Sequence, residues 1–208
     1  LGVGQHLAGH RHHPMLGRQE SELLPRGGNG GEVGVHASHL PRYADRRRRY
    51  WRSVTAMKTG DTVADFELPD QTGTPRRLTA LLSDGPIVLF FYPAAMTPGC
   101  TKEACHFRDL AQEFTAVGAN RVGISVDPVA KQAKFADAQR FDYPLLSDTD
   151  GAVANQFGVK RGLLGKLLPV KRTTFVIDTD RKVLDVISSE LSMDSHADKA
   201  LQTLRARS

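Results

Sequence analysis

An unbroken apolar run, Ile87 to Tyr92, closed by Gly85-Pro86 on one side and Pro93 on the other, is the strongest constraint on what this chain can become. Such a run without polar alternation suits a strand buried on both faces, as in a parallel sheet. Pro93 and Pro98 then break the backbone, and Thr97-Pro98-Gly99-Cys100 reads as a helix entry. From Thr101 onward, Glu103, Ala104, Phe107, Leu110, Ala111 and Phe114 recur at helical spacing and form one mainly apolar stripe. Cys100 therefore falls where a buried strand hands over to a helix, at or near the first helical turn. Unpaired N–H groups and the positive end of the helix dipole converge there and favour an anion. The thiolate is the nucleophilic form of cysteine, so the position reads as a reactive-cysteine site.

The rest of the chain from Met57 supplies an α/β domain over residues 57–208. Val63 to Leu68 reads as a short strand, followed by a turn through Pro69-Asp70-Gln71-Thr72-Gly73 into Pro75–Leu78. Thr79 to Leu82 reads as one helical turn. Asn120 to Val126 is a second core strand, and Val129 to Arg140 a helix with Phe135 inside it. Tyr143 to Leu146 is short and extended, and Asp150 to Phe157 is a brief helix stopped by Gly158. Val159 to Lys171 is an irregular loop broken by Gly162, Gly165 and Pro169. Thr173–Asp178 and Lys182–Ser188 form a hairpin, and Met193 to Arg207 a terminal helix. This order predicts helices packed on a central mixed sheet.

Charge separates the two parts of the chain. Residues 1–56 hold nine Arg, no Lys and four acidic residues, a local net of +5; the remainder holds nineteen basic and nineteen acidic residues. The excess positive charge therefore says nothing about what the folded domain binds, and specific nucleic-acid binding is not expected. The Gly/His/Arg-rich stretch 1–56 predicts a disordered extension. Its Arg46–Arg49 run beside Tyr50 and Trp51 has a basic-aromatic reading. His10, His12 and His13 have a metal-binding one. Both are set against a solvated tail. Met57, where the composition changes, is itself a candidate translation start. No run of about eighteen apolar residues marks a membrane span. Nor is there the apolar core of a secretory signal, so a cytoplasmic location is expected. Cys100 and Cys105 are too few for a disulfide framework or a four-thiolate zinc site. A close pair in a reducing compartment points to redox chemistry.

Tyr92-Pro93-Ala94-Ala95-Met96-Thr97-Pro98-Gly99-Cys100-Thr101 resembles the peroxiredoxin active-site segment, P-x-x-x-T-x-x-C. Its continuation through Glu103, Ala104, Cys105, Phe107, Arg108 and Asp109 resembles the bacterioferritin-comigratory, or Q, type, whose second cysteine follows the first by five residues. Gly60-Asp61, Ala64 to Leu68 and Arg172 to Asp178 also resemble it, so the likeness spans about Met57 to Arg205. The resemblance implies a thioredoxin-like fold and a thiol peroxidase needing no cofactor and no metal. It implies Cys100 as peroxidatic nucleophile and Cys105 as resolving thiol. Thr97 would hydrogen-bond the thiolate and the peroxide, Arg172 would stabilise the thiolate and polarise the O–O bond, and Pro93 would shield the pocket. The implied partners are a hydroperoxide and thioredoxin or a similar dithiol, and the implied assembly a monomer.

Each assignment has a plainer competitor. Cys100 alone could be a small buried hydrophobe, and Cys105 an inert core position with resolution by an external thiol. Lys171 and Arg161 compete with Arg172 as the pocket cation, Glu103 reads as a first-turn partner of the helix dipole or a member of the local network, and His106 as solvent-facing or capping and not a metal ligand. A thioredoxin-like exchanger would carry C-x-x-C, which is absent here. Ala94-Ala95-Met96 stand where relatives often carry polar residues, and Met96 is oxidisable. The segment Arg161 to Leu168 is apolar enough to cover a pocket or meet a reductase. Residues i and i+5 of an ideal helix differ by about 500° of rotation and about 7.5 Å of rise. A disulfide needs Cα atoms roughly 4.4–6.8 Å apart. Cys100 to Phe107 must therefore unwind before the two sulfurs can join.

Overall fold

The computed structural model describes residues 55–162 and 168–207. The expected extension 1–56, with its histidine cluster and Arg46–Trp51 patch, lies outside the described residues except for Thr55 and Ala56. So does the centre of the segment Arg161 to Leu168. Five strands form the main sheet: β3 (Ile87–Phe91), β4 (Asn120–Ser125), β5 (Leu145–Ser147), β6 (Thr173–Ile177) and β7 (Val183–Ser188). Their spatial order is β5-β4-β3-β6-β7. β3 runs parallel to β4, with Leu89 opposite Val122, and antiparallel to β6, with Leu89 opposite Phe175. A separate two-stranded ladder, β1 (Glu67–Pro69) with β2 (Pro75–Arg77), lies outside this sheet.

The central place of β3 explains its unbroken apolar sequence, since every residue in it is buried. Its alternation feeds two cores. Val88, Phe90 and Tyr92 pack on one face with residues of α2 (Pro98–Asp109), α4 (Val129–Gln139) and α6 (Asp194–Arg207). Ile87, Leu89 and Phe91 pack on the other with α1 (Leu78–Leu81) and α5 (Ala152–Gln156). Phe107 of α2 stacks on Phe90 with ring centroids 4.2 Å apart, which fixes the helix to the sheet. Gly123 of β4 leaves room for these rings: a Cβ there would lie 2.7 Å from Leu145 Cδ2 and 3.0 Å from Phe90 Cζ.

Two expectations change. The strand expected over Val63 to Leu68 is Glu67–Pro69 only. Val63 is buried, but that stretch is held by the bridge from Thr62 to Lys182 and by single bonds such as Val63 N–H to the Arg181 carbonyl and Leu78 N–H to the Phe66 carbonyl, not by a ladder along its length. The single stripe expected from Thr101 to Phe114 divides at Leu110, whose φ of −92° and ψ of 23° end α2 and begin α3 (Ala111–Ala116). The stripe survives the break because both segments bury their phenylalanines, Phe107 and Phe114, in the same core.

Candidate active site

The loop between β3 and α2 is pinned at both ends. Tyr92 donates its hydroxyl to Gln132 Oε1 of α4. The Ala95 N–H donates to Asp127 Oδ2 at 2.6 Å. Asp127 also accepts from Ser125 Oγ at 2.9 Å and from Lys131 Nζ at 2.7 Å. Pro93 and Ala95 are buried between these anchors, whereas Met96 is exposed and sits at a positive φ of 67°. A positive φ is a conformation a side chain rarely adopts, and Met96 takes it between the anchored Ala95 and the N-cap of α2.

Thr97 is the N-cap of α2, and Pro98 the first helical residue. Its carbonyl accepts from Thr101 N–H at 2.8 Å. Its exposed hydroxyl donates to the Ala94 carbonyl at 2.9 Å, so in this state it makes no bond to Cys100. The hydroxyl oxygen retains acceptor capacity. Cys100 is the third helical residue and is buried. Its sulfur lies 3.3 Å from Arg172 Nη2. Of the three candidate cations, Lys171 is exposed and Arg161 pairs with Glu190, so Arg172 is the one brought to the thiol.

Arg172 is buried just before β6, and its Nη1 pairs with Glu103 Oε2. Burial works against its charge, but Glu103 and Cys100 outweigh that and hold it above the ordinary guanidinium value. Burial pushes the Glu103 carboxyl up to about 8, against the opposing pull of Arg172. Glu103 is thus no exposed dipole partner; it is the buried support of the arginine. Gly99 passes beside the same group: a Cβ there would meet Met193 Cε at 3.2 Å and Arg172 Nη2 at 3.4 Å. An added Cβ would press the end of Met193 by a few tenths of an ångström and meet the guanidinium at ordinary contact.

Cys105 lies further along α2, partly buried, with Sγ 3.3 Å from Gln139 Oε1. Both cysteines are free thiols. His106 Nε2 lies 2.8 Å from Asp198 Oδ1 and Lys102 pairs with Asp194 at 2.8 Å, so a hydrogen bond and an ion pair tie α2 to α6. Among the described residues no group of three His, Cys, Asp or Glu side chains stands ready for a metal, and no helix is long and apolar enough to cross a membrane. A pocket of about 340 Å³ opens elsewhere, beside Arg76, Arg77 and Arg121. Its arginines are already paired with Asp70, Glu67 and Asp142, which leaves it little pull on an anion.

Glu103 as a partner of Arg172, Asp127 as the loop anchor, and His196 behind Glu103 were not identified from the sequence. The spacing of Glu103 on the buried stripe was the one available signal.

The geometry can be set beside known proteins. Residues 59–186 match the AhpC/TSA family. A Mycobacterium tuberculosis protein bearing the name peroxiredoxin is 86% identical over 150 residues, 72% of this chain and 97% of that one. The crystal structure of peroxidoxin BcpB from Mycobacterium tuberculosis, also 86% identical, superposes with a TM-score of 0.70 over 72% of this chain and 97% of that chain. The bacterioferritin comigratory protein of Xanthomonas campestris, studied for alkyl peroxide reduction, is 31% identical with a TM-score of 0.63, covering 71% and 99%. The chain belongs to the AhpC/TSA family, has its thioredoxin-like fold, and is a peroxidase of the bacterioferritin-comigratory, or Q, type of peroxiredoxin.

Proposed function

We propose that this protein reduces hydrogen peroxide and organic hydroperoxides through Cys100 and Cys105, and is recycled by thioredoxin or a similar dithiol of the cytoplasm. The Cys100 thiolate attacks the terminal peroxide oxygen, the O–O bond breaks, and the leaving oxygen takes a proton to become water or an alcohol. Cys100 is left as a sulfenic acid, which Cys105 attacks to give a disulfide and a second water. The external dithiol then returns both sulfurs to thiols.

The observation that carries this reading is Arg172 Nη2 at 3.3 Å from Cys100 Sγ in the first turn of α2. A fixed guanidinium there faces the thiolate and stabilises charge as it develops on the leaving oxygen. Thr97 supplies a hydroxyl at the pocket mouth once it turns from the Ala94 carbonyl, and buried Pro93 limits water. Organic hydroperoxides are included because the Xanthomonas relative was studied for alkyl peroxide reduction. An internal partner thiol lets a monomer complete the cycle.

The test is peroxide consumption by the purified protein with dithiothreitol, compared with Cys100→Ser and Cys105→Ser. Loss of turnover in Cys100→Ser is expected, and in Cys105→Ser, assayed without dithiothreitol, one oxidation event per chain. Full turnover in Cys100→Ser would overturn the reading.

A further inference from the structure

Behind Arg172 the buried polar cluster continues into α6. His196 is wholly buried. Its Nε2 lies 2.9 Å from the Ser189 carbonyl oxygen and its Nδ1 2.9 Å from Thr174 Oγ1. A carbonyl only accepts, so Nε2 carries a proton; in the neutral ring Nδ1 is then the lone-pair nitrogen and accepts from Thr174 Oγ1. That nitrogen stands 3.7 Å from Glu103 Oε1, a buried oxygen with no hydrogen-bond partner. The other carboxyl oxygen is occupied by Arg172. At 3.7 Å the two atoms are not hydrogen-bonded as they stand, but a lone-pair nitrogen and an unpartnered carboxyl oxygen, both away from water, give one proton two places to reside.

We propose that Glu103 Oε1 and His196 Nδ1 share a single proton, which makes His196 a positioning residue for Arg172 and, through it, for Cys100. With that proton in place, Cys100 thiolate, Arg172 and the Glu103–His196 pair carry no net charge, and the guanidinium belongs to the sulfur. Without it, a carboxylate competes with the thiolate for the same guanidinium. Two features support this. Burial raises the Glu103 carboxyl to about 8. Burial also lowers His196, the Ser189 carbonyl and Glu190 opposing, so the ring itself stays neutral. The other charges facing the pair are Arg172 ahead of β6, Glu190 after β7 and Lys199 on α6.

This inference rests on Cys100 as the peroxidatic residue, and its test separates the two. The imidazole nitrogens of His196 are followed by NMR from about pH 5 to about pH 10. In parallel, single-turnover oxidation of Cys100 by hydrogen peroxide is measured relative to its reaction with a disulfide reagent, which shares the need for a thiolate but not for a donor to the leaving peroxide oxygen. The expected result is a step in the Nδ1 resonance near pH 8, well above that of a free imidazole, with a fall of about three- to tenfold in the peroxide-to-disulfide ratio over the same range. Glu103→Gln, which presents a permanent N–H to Nδ1, should remove both the step and the fall. Thr174→Val, which removes the competing donor at Nδ1, should move the step to higher pH and serves if the glutamine variant does not fold. A His196 resonance without the alkaline step, or a ratio that still falls in Glu103→Gln, would overturn the proposal. An alkaline step in a protein that never reacts with peroxide would leave the proton pair standing and remove the peroxidase reading.

Discussion

Cys105 Sγ lies 3.3 Å from Gln139 Oε1, so the second thiol of α2 is engaged with α4 and not with Cys100. The backbone around it is held as well: Tyr143 donates its hydroxyl to the Ala104 carbonyl at 2.7 Å, and Arg121 Nη1 donates to the Phe107 carbonyl at 3.0 Å. Joining the two sulfurs therefore requires part of α2 to open while its anchors let go. Hydrogen exchange should show residues 100–107 protected in the reduced protein and unprotected in the disulfide form. Equal protection in both would contradict the requirement.

Tyr143→Phe removes one of those anchors without changing ring packing. We expect a loss of about 1 kcal/mol in unfolding free energy, together with faster disulfide formation after Cys100 oxidation. Chemical denaturation and rapid-quench mass analysis measure the two effects. A slower closure would show that the Tyr143 bond promotes opening.

Arg172→Lys keeps a positive charge but replaces a planar fork with a single ammonium. In the native site, separate nitrogens of Arg172 serve Glu103 and Cys100. One ammonium cannot reproduce both contacts and still face a peroxide. The second-order rate constant with hydrogen peroxide should drop about a hundredfold, the usual cost of one preorganised donor. An unchanged rate would remove Arg172 from the reaction.

Stability should depend on pH in two opposite ways. The Glu103 carboxyl is raised by burial from 4.5 to about 8, so the native protein holds a proton that the unfolded chain releases between those values. Its contribution is full below about 4.5 and is lost as pH rises through about 8. His196 is lowered by burial from 6.5, so below 6.5 the unfolded chain takes up a proton that the native ring lacks, and stability falls on acidification. Glu103→Gln should flatten the first trend and, by donating its N–H to Nδ1, keep or steepen the second. Denaturation curves across pH decide this, and an unaltered alkaline slope would refute it.

Met96 holds a positive φ of 67° with its side chain mostly in solvent. Glycine relieves the left-handed strain at the cost of extra freedom in the unfolded chain, and little packing is lost. Met96→Gly should therefore gain about 1 kcal/mol or less in a melting experiment. A clear loss would mean that the side chain packs on something in solution.

How much of this was readable beforehand follows from where each signal sits. β3, β4 and the β6–β7 hairpin were readable because continuous burial leaves a continuous apolar trace. The entry to α2 was readable because Thr97, Pro98 and Cys100 are neighbours in the chain. The true limits of β1 were not, since Val63 is buried by a tertiary bridge and leaves the same apolar mark as a strand. The break at Leu110 was hidden because the buried stripe runs through it. Glu103, Arg172 and His196 come together across long sequence separations; Arg172 is reached through the family resemblance and Glu103 only by its place on the buried stripe, and nothing local marks their pairing. Met96 is visible as oxidisable, but its positive φ, between the anchored Ala95 and the helix entry, leaves no mark in the sequence.

The most direct measurement uses Cys105→Ser, one equivalent of hydrogen peroxide, and a trap for sulfenic acid, followed by peptide mass analysis. Attack by the sulfur beside Arg172 predicts one trapped oxygen, on the peptide through Cys100 and on that residue. Oxygen confined to Met96, or no modification while peroxide persists, would contradict the assignment of Cys100 as the nucleophile.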